Sequence, residues 1–266
     1  MTHGCKALAA VALAPLALAL APGGALAAAG TVYGGATSQR DPVGLIVSKD
    51  HRRIVRLVAH VDLSCSDGAA TDWSGSTSFA GRGRISPSGR IAVRNRLISL
   101  AGTLRGSTAR GTISVSQSFT DKSTGAPVTC ASGRVTWRAR SARGSIFAGL
   151  SSAGHPVVLE LAEDRLSVRM FRYGWESNCQ KGGFLAFGDS FGDFPLGRHG
   201  GFGTTFLLDP IPLAGGAHRN VEYAIHGRAG KTQASGTFQV TATETDPTGA
   251  IADTCATGRE TWRAVT

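Results

Sequence analysis

The chain has 266 residues, of which 36 are glycine, and its 28 basic and 18 acidic side chains give a formal net charge of +10. Glycine stands well above its usual share of about 7%, Thr, Ser and Val are common, and Met is scarce. That mix suits short strands joined by tight turns and argues against a helical protein. Arg outnumbers Lys by 23 to 5, a bias that a GC-rich genome also produces.

His3 and Lys6 make a mildly positive start, residues 7–21 are almost pure Ala, Leu and Val, and Pro22-Gly23-Gly24 precedes Ala25-Leu26-Ala27. These are the parts of a secretory signal peptide, expected over 1–27 with cleavage near Ala27. The apolar run falls short of the roughly 20 residues that span a bilayer, and no later stretch is long and apolar enough for a membrane span. The mature chain is therefore expected outside the cell or at its envelope.

The rest of the chain is a duplication. Residues 31–65 align without a gap on 145–179: Tyr33-x-Gly35 on Phe147-x-Gly149, Pro42-Val43 on Pro156-Val157, Asp50 on Asp164 and Cys65 on Cys179. Residues 100–139 align on 225–264 with 16 of 40 positions identical, including Cys130 on Cys255 and Trp137 on Trp262. The offsets are 114 and 125, so the second copy carries eleven extra residues between its first Cys and residue 225. The expected modules are 28–143 and 144–266, the second with an expanded loop region at 180–220.

Period-2 alternation marks strands at 43–49, 53–63, 91–94, 97–104, 111–120 and 134–139. Their counterparts lie at 157–162, 166–173, 221–227 and 259–264, with Gly, Asp, Ser and Pro clusters between. No convincing amphipathic helix follows the leader. The expected fold is all-β: two tandem antiparallel β-sandwich or barrel-like modules.

Four cysteines remain after the leader: Cys65, Cys130, Cys179 and Cys255. A duplicated unit that folds alone pairs within itself, which selects Cys65–Cys130 and Cys179–Cys255 from three possible pairings. Each bridge is worth about 4 kcal/mol in the chain-entropy model. The cysteine separation resembles the immunoglobulin pattern, but Val128 and Asp253 stand where that family carries a Tyr. Trp137 and Trp262, seven residues after the second Cys of each copy, read as core aromatics flanked by Arg134, Arg138, Arg259 and Arg263. No cysteine has a second Cys or a His at metal-ligand spacing, so neither a metal nor another cofactor is expected.

Phe187-Gly188-Asp189-Ser190 resembles the first block of the SGNH or GDSL esterases, in which a serine nucleophile follows Gly-Asp. That resemblance implies a late Asp-x-x-His and an alternating strand–helix fold. The mature chain has no Asp-x-x-His, so the string reads as a surface turn. No histidine recurs between the copies: His60 aligns with Gly174, and His155 with Asp41. Asp189, Asp193, His199, Asp209 and His218 form a possible loop site for a divalent ion or substrate. No glycine run has a phosphate-binding pattern.

Charge is uneven. Residues 31–143 hold 17 basic and 6 acidic side chains, and residues 144–266 hold 10 and 12. The first module is expected to bind an anionic cell-wall polymer or polysaccharide through Arg82, Arg84, Arg90, Arg94 and Arg96, with no specific nucleic acid as partner. The functional expectation is a secreted, non-enzymatic binding or structural pair. The alternatives are a secreted hydrolase with its site in 180–220, and an inhibitor that presents that loop.

Overall fold

The computed structural model describes residues 30–68, 70–79, 83–120, 125–181 and 184–266. The expected signal peptide, 1–27, and Arg82 lie outside the described residues. The fold is all-β, in two antiparallel sheets.

The first sheet is built from β1 (Thr31–Thr37), β2 (Pro42–Val47), β3 (Ile54–Cys65), β4 (Ala70–Thr77), β5 (Arg90–Arg94), β6 (Ile98–Arg105), β7 (Thr108–Thr120), β8 (Pro127–Ala131) and β9 (Val135–Arg140). The second holds β10 (Ile146–Ser151), β11 (Pro156–Leu161), β12 (Ser167–Cys179), β13 (Phe184–Phe191), β14 (Phe194–Pro195), β15 (Gly201–Leu207), β16 (Ile211–Pro212), β17 (His218–Ala229), β18 (Gln233–Thr245), β19 (Ile251–Ala256) and β20 (Glu260–Val265). A single 3₁₀ turn, Ala214–Gly216, is the only helical element among the described residues.

Pairing closes each sheet on itself. In the first, β3, β2, β1, β9, β7 and β8 are neighbours in turn, and β8 returns to β3. In the second the same ring runs β12, β11, β10, β20, β18, β19 and back to β12. Closure removes the open edge that a sheet otherwise exposes. The closing contact is short in both copies: Ser64↔Ala131 and Cys65↔Cys130 in one, Asn178↔Ala256 and Cys179↔Cys255 in the other. The disulfides Cys65–Cys130 and Cys179–Cys255 bridge these directly opposed pairs, each with Cα atoms 3.9 Å apart.

Alternation puts Ile91, Val93, Ile98, Leu100, Ile113, Val115, Val135 and Trp137 into the first core, and Phe171, Tyr173, Ile225, Phe238, Val240 and Trp262 into the second. The two tryptophans are buried, as expected, and Arg138 points out beside Trp137. Room for the rings comes from cross-strand glycine pairs. A Cβ on Gly102, which faces Gly111, would lie 3.0 Å from Trp137 Cζ2, and one on Gly236, which faces Gly227, would lie 2.7 Å from Trp262 Cζ2.

Several strands were not expected. β1 and β4 lack clear alternation, and Gly34-Gly35 breaks β1 as a sequence signal. In the structure those glycines let β1 approach its neighbours: a Cβ on Gly34 would lie 2.8 Å from Ile146 Cγ2 and Val158 Cγ1 of the second sheet. The 180–220 region, expected as loop, carries β13 to β16 and the start of β17. The Gly188-Asp189-Ser190 string lies inside β13, paired along β12, and is not a surface turn.

The two modules pack through β1, β2 and β3 against β10 and β11. Val32, Ile46, Val58, Ala148 and Val158 form a small apolar cluster of their own, with Leu150 and Val265 against it. At one side of this seam Glu160 is ion-paired to Arg140 of the first module and to Arg169 Nε at 2.8 Å.

Candidate functional site

Two places gather chemistry. The first is a cleft of about 1020 Å³ on the first module, lined by Asp50, His51, Arg52, Arg53, Arg84, Ser86 and Arg90 among others. Arg53 and Arg84 face one another across an isolated β-bridge, and both side chains are exposed, as is that of Arg90. Asp50, the one acid in the lining, is held by its own turn. Ser48 Oγ donates to its Oδ1 at 2.5 Å, and the Arg52 amide donates at 3.1 Å. These bonds, the Ser48 one above all, hold its carboxyl below the usual range.

The arginines proposed from sequence divide. Arg84 and Arg90 enter this cleft, together with Arg52 and Arg53, which sequence reasoning missed. Arg94 shares the exposed face of β5 with Arg90 but sits at the strand's far end, and Arg96 lies beyond it, beside Asn95 and Leu97 in a separate depression.

The expected loop site disperses. Asp189 points inward from β13 and accepts Trp175 Nε1 at 2.5 Å and Tyr223 Oη at 2.8 Å. Burial raises its pKa, against those two hydrogen bonds. Asp193 is exposed, in the left-handed region with φ 63°. His199 sits in the turn before β15, where its carbonyl accepts Arg228 Nε near the end of β17. His218 begins β17. The strand between His218 and Arg228 is about 33 Å long, so the two histidines stand at opposite ends. Asp209 is exposed between β15 and β16.

The second place is buried at the seam. Matching turns present Asp41 ahead of β2 and His155 ahead of β11: the Asp41 amide donates to Thr37 Oγ1 and the His155 amide to Ser151 Oγ, each at 3.2 Å. His60 on β3 is fully buried. Its Nδ1 is 3.2 Å from Asp72 Oδ2 and its Nε2 is 3.7 Å from Asp62 Oδ1. His155 Nδ1 is 3.1 Å from Ser74 Oγ.

The second module contributes His155 and makes room for the first module's groups with two glycines. A Cβ on Gly174 would lie 2.5 Å from Ser74 Oγ and 2.9 Å from His60 Nδ1, and one on Gly188 would collide with Asp41. Burial pushes the Asp41 carboxyl up to about 7, with His60 opposing and Asp62, Asp189 and Asp72 adding to the rise. Burial also lifts Asp72. On His60 burial acts downward, but the carboxylates of Asp62, Asp72 and Asp41 outweigh it, so its pKa is raised. His155, desolvated and beside His60, falls to about 4.

No protein-family model, curated protein or solved structure matches the chain. The alignment of the copies held the signal for the seam: where one copy has His60 or Asp41 the other has Gly174 or His155. These differences are complementary, not random loss.

Proposed function

We propose that the protein is a secreted, non-enzymatic pair of binding modules acting at the cell envelope or in the extracellular matrix, and that its first module binds acidic polymers. The observation that carries this reading is the open cleft in which Arg52, Arg53, Arg84 and Arg90 converge with one self-satisfied acid. Guanidinium groups present several donors in a planar fork that suits phosphate, sulfate and carboxylate. The leader-like N-terminus and the two disulfides support export, since disulfides persist in oxidising compartments. Among the described residues no helix is long and apolar enough to cross a membrane.

The same backbone provides an internal comparison. The Arg53↔Arg84 bridge corresponds, through the 114-residue offset of Arg53 and Ser167, to Ser167↔Pro195 of the second module. The fold closes this corner without charge, so the arginines answer to something other than folding.

The test is retention of the mature chain on immobilised heparin and on immobilised teichoic acid at physiological salt. Wild-type protein is expected to bind both, and Arg84→Glu/Arg90→Glu is expected to elute at clearly lower salt. Equal elution of the two proteins rejects the reading.

A further inference from the structure

We propose that Asp41, His60 and Asp62 form a binding site for a divalent transition-metal ion at the seam between the two modules, with Asp72 as the residue that orients His60. The expectation of no metal rested on cysteine spacing, and the cysteines are indeed consumed by disulfides. This site uses none of them.

Geometry is the first support. One ring nitrogen of His60 and one carboxylate oxygen each from Asp41 and Asp62 lie within 4.8 Å of one another. Asp72 faces Nδ1 and Asp62 faces Nε2, so the two ring nitrogens have different neighbours. A carboxylate on one imidazole nitrogen, with the other directed at a metal, is the usual way a protein fixes a histidine ligand.

The second support is independent of the carboxylates. His60 is fully buried, yet neither ring nitrogen makes a hydrogen bond, and Asp41 Oδ2, also buried, has no partner either. The 3.2 Å approach of Asp72 lacks the alignment of a hydrogen bond. Buried polar atoms left unsatisfied are costly and rare, so three in one place call for a ligand. A cation bound by His60 Nε2 and Asp41 satisfies two of them directly and lets Asp72 accept from Nδ1.

Charge points the same way. The groups that act most on Asp41 are His60 and three further acids, Asp62, Asp189 and Asp72, and those acting on Asp72 are His60, Glu176 and Asp62. Neither set includes an Arg or a Lys, in a module that is otherwise rich in arginine. Access is provided by Asp62, whose side chain is 60% exposed while that of His60 is 0% exposed. The second module's part is steric: Gly174 and Gly188 leave the volume that His60, Ser74 and Asp41 fill.

One imidazole nitrogen with two carboxylate oxygens suits zinc or manganese better than a soft ion, and the imidazole disfavours calcium and magnesium. The experiment is calorimetric titration of the full chain, stripped with a chelator, with Zn²⁺, Mn²⁺ and Ca²⁺ in turn, each paired with a thermal melt. One ion per chain is expected, with a rise in melting temperature. Asp62→Asn, at an exposed position, is expected to fold normally and to bind at least ten-fold more weakly. Asp72→Asn is expected to lose about 10–100-fold, as for an outer-shell partner. Three results overturn the proposal: no binding of Zn²⁺ or Mn²⁺, binding of undiminished strength in Asp62→Asn and Asp41→Asn, or binding of Ca²⁺ in preference to both.

Discussion

His60 of the first module and Gly174 of the second occupy equivalent positions in the two copies, and in the folded chain the first fills the space that the second leaves open. Cross-strand, His60 pairs with Ser74 and Gly174 pairs with Gly188, so one copy carries two polar side chains where the other carries none. The reverse holds across the apolar seam, where a Cβ on Gly44 of the first module would lie 2.7 Å from Ala148 Cβ of the second. Each module is cut to receive the other.

That fit has a measurable consequence. Gly174→Ala is expected to destabilise the protein by about 1–3 kcal/mol, because the new methyl group meets Ser74 Oγ and His60 Nδ1 in a filled seam. In a Ser74→Gly background the same change is expected to cost much less, giving a coupling of at least about 0.5 kcal/mol. Chemical denaturation of the four proteins of the cycle measures it. Strict additivity would show that the two positions do not compete for space.

The disulfides act where the rings close. β3 meets β8, and β12 meets β19, through two residue pairs each, one of which is the cystine. Cys65→Ser/Cys130→Ser is expected to cost about 4 kcal/mol on chain-entropy grounds. It should also raise hydrogen exchange in β8 before β1 or β2. Denaturant melts and exchange mass spectrometry read both, and a loss below about 1 kcal/mol argues that the other strand pairings close the ring unaided.

The duplication, the β class and the disulfide partners were legible because each leaves a local or repeated mark: matched Cys, Trp and Gly, and period-2 runs such as Ile113 and Val115. β1, β4 and β13 were not, although each pairs with the strand next to it in the chain, because none carries a clear period-2 apolar run. Their own residues, such as Gly34-Gly35 and Gly188-Asp189, carry turn-like signals. The basic stretch was visible in part. Arg84 and Arg90 meet Arg52 and Arg53 only through the bridge that ties the start of β3 to the segment before β5. The seam cluster was hidden for a different reason: Asp41, His60 and Ser74 matter by differing from His155, Gly174 and Gly188, and a repeat displays its agreements, not its differences.

Glu260 gives a pH dependence of stability. It is buried at the start of β20, and its Oε2 has no hydrogen-bond partner. Burial raises its pKa, opposed by a hydrogen bond from Ser151 and reinforced by nearby Glu176. The unfolded chain releases this proton near the ordinary carboxylate value, the folded chain only at higher pH. The group's contribution is therefore whole below the ordinary value and declines as pH rises through the raised one. Glu260→Gln removes that decline. Its stability relative to wild type is expected to climb from acid toward neutral pH in urea melts, and a flat or falling difference contradicts the assignment.

The last expectation separates the cleft from bulk charge. Binding of a polyanion releases counterions, and each cationic side chain engaged adds about one to the slope of log K against log salt. Arg53→Ser/Arg84→Ser gives the first module the uncharged bridge that the second module tolerates at Ser167↔Pro195, so folding should survive. The slope for heparin is expected to fall by about two. Arg94→Ser/Arg96→Ser removes the same charge from the far end of β5, about 13 Å or more along the strand from Arg90 and beyond the roughly 8 Å Debye length at physiological salt. It is expected to leave the slope close to that of the wild type. Salt-dependent affinity measurements on the three proteins decide the matter: if both pairs lower the slope equally, the polymer reads net charge and the cleft is not its site.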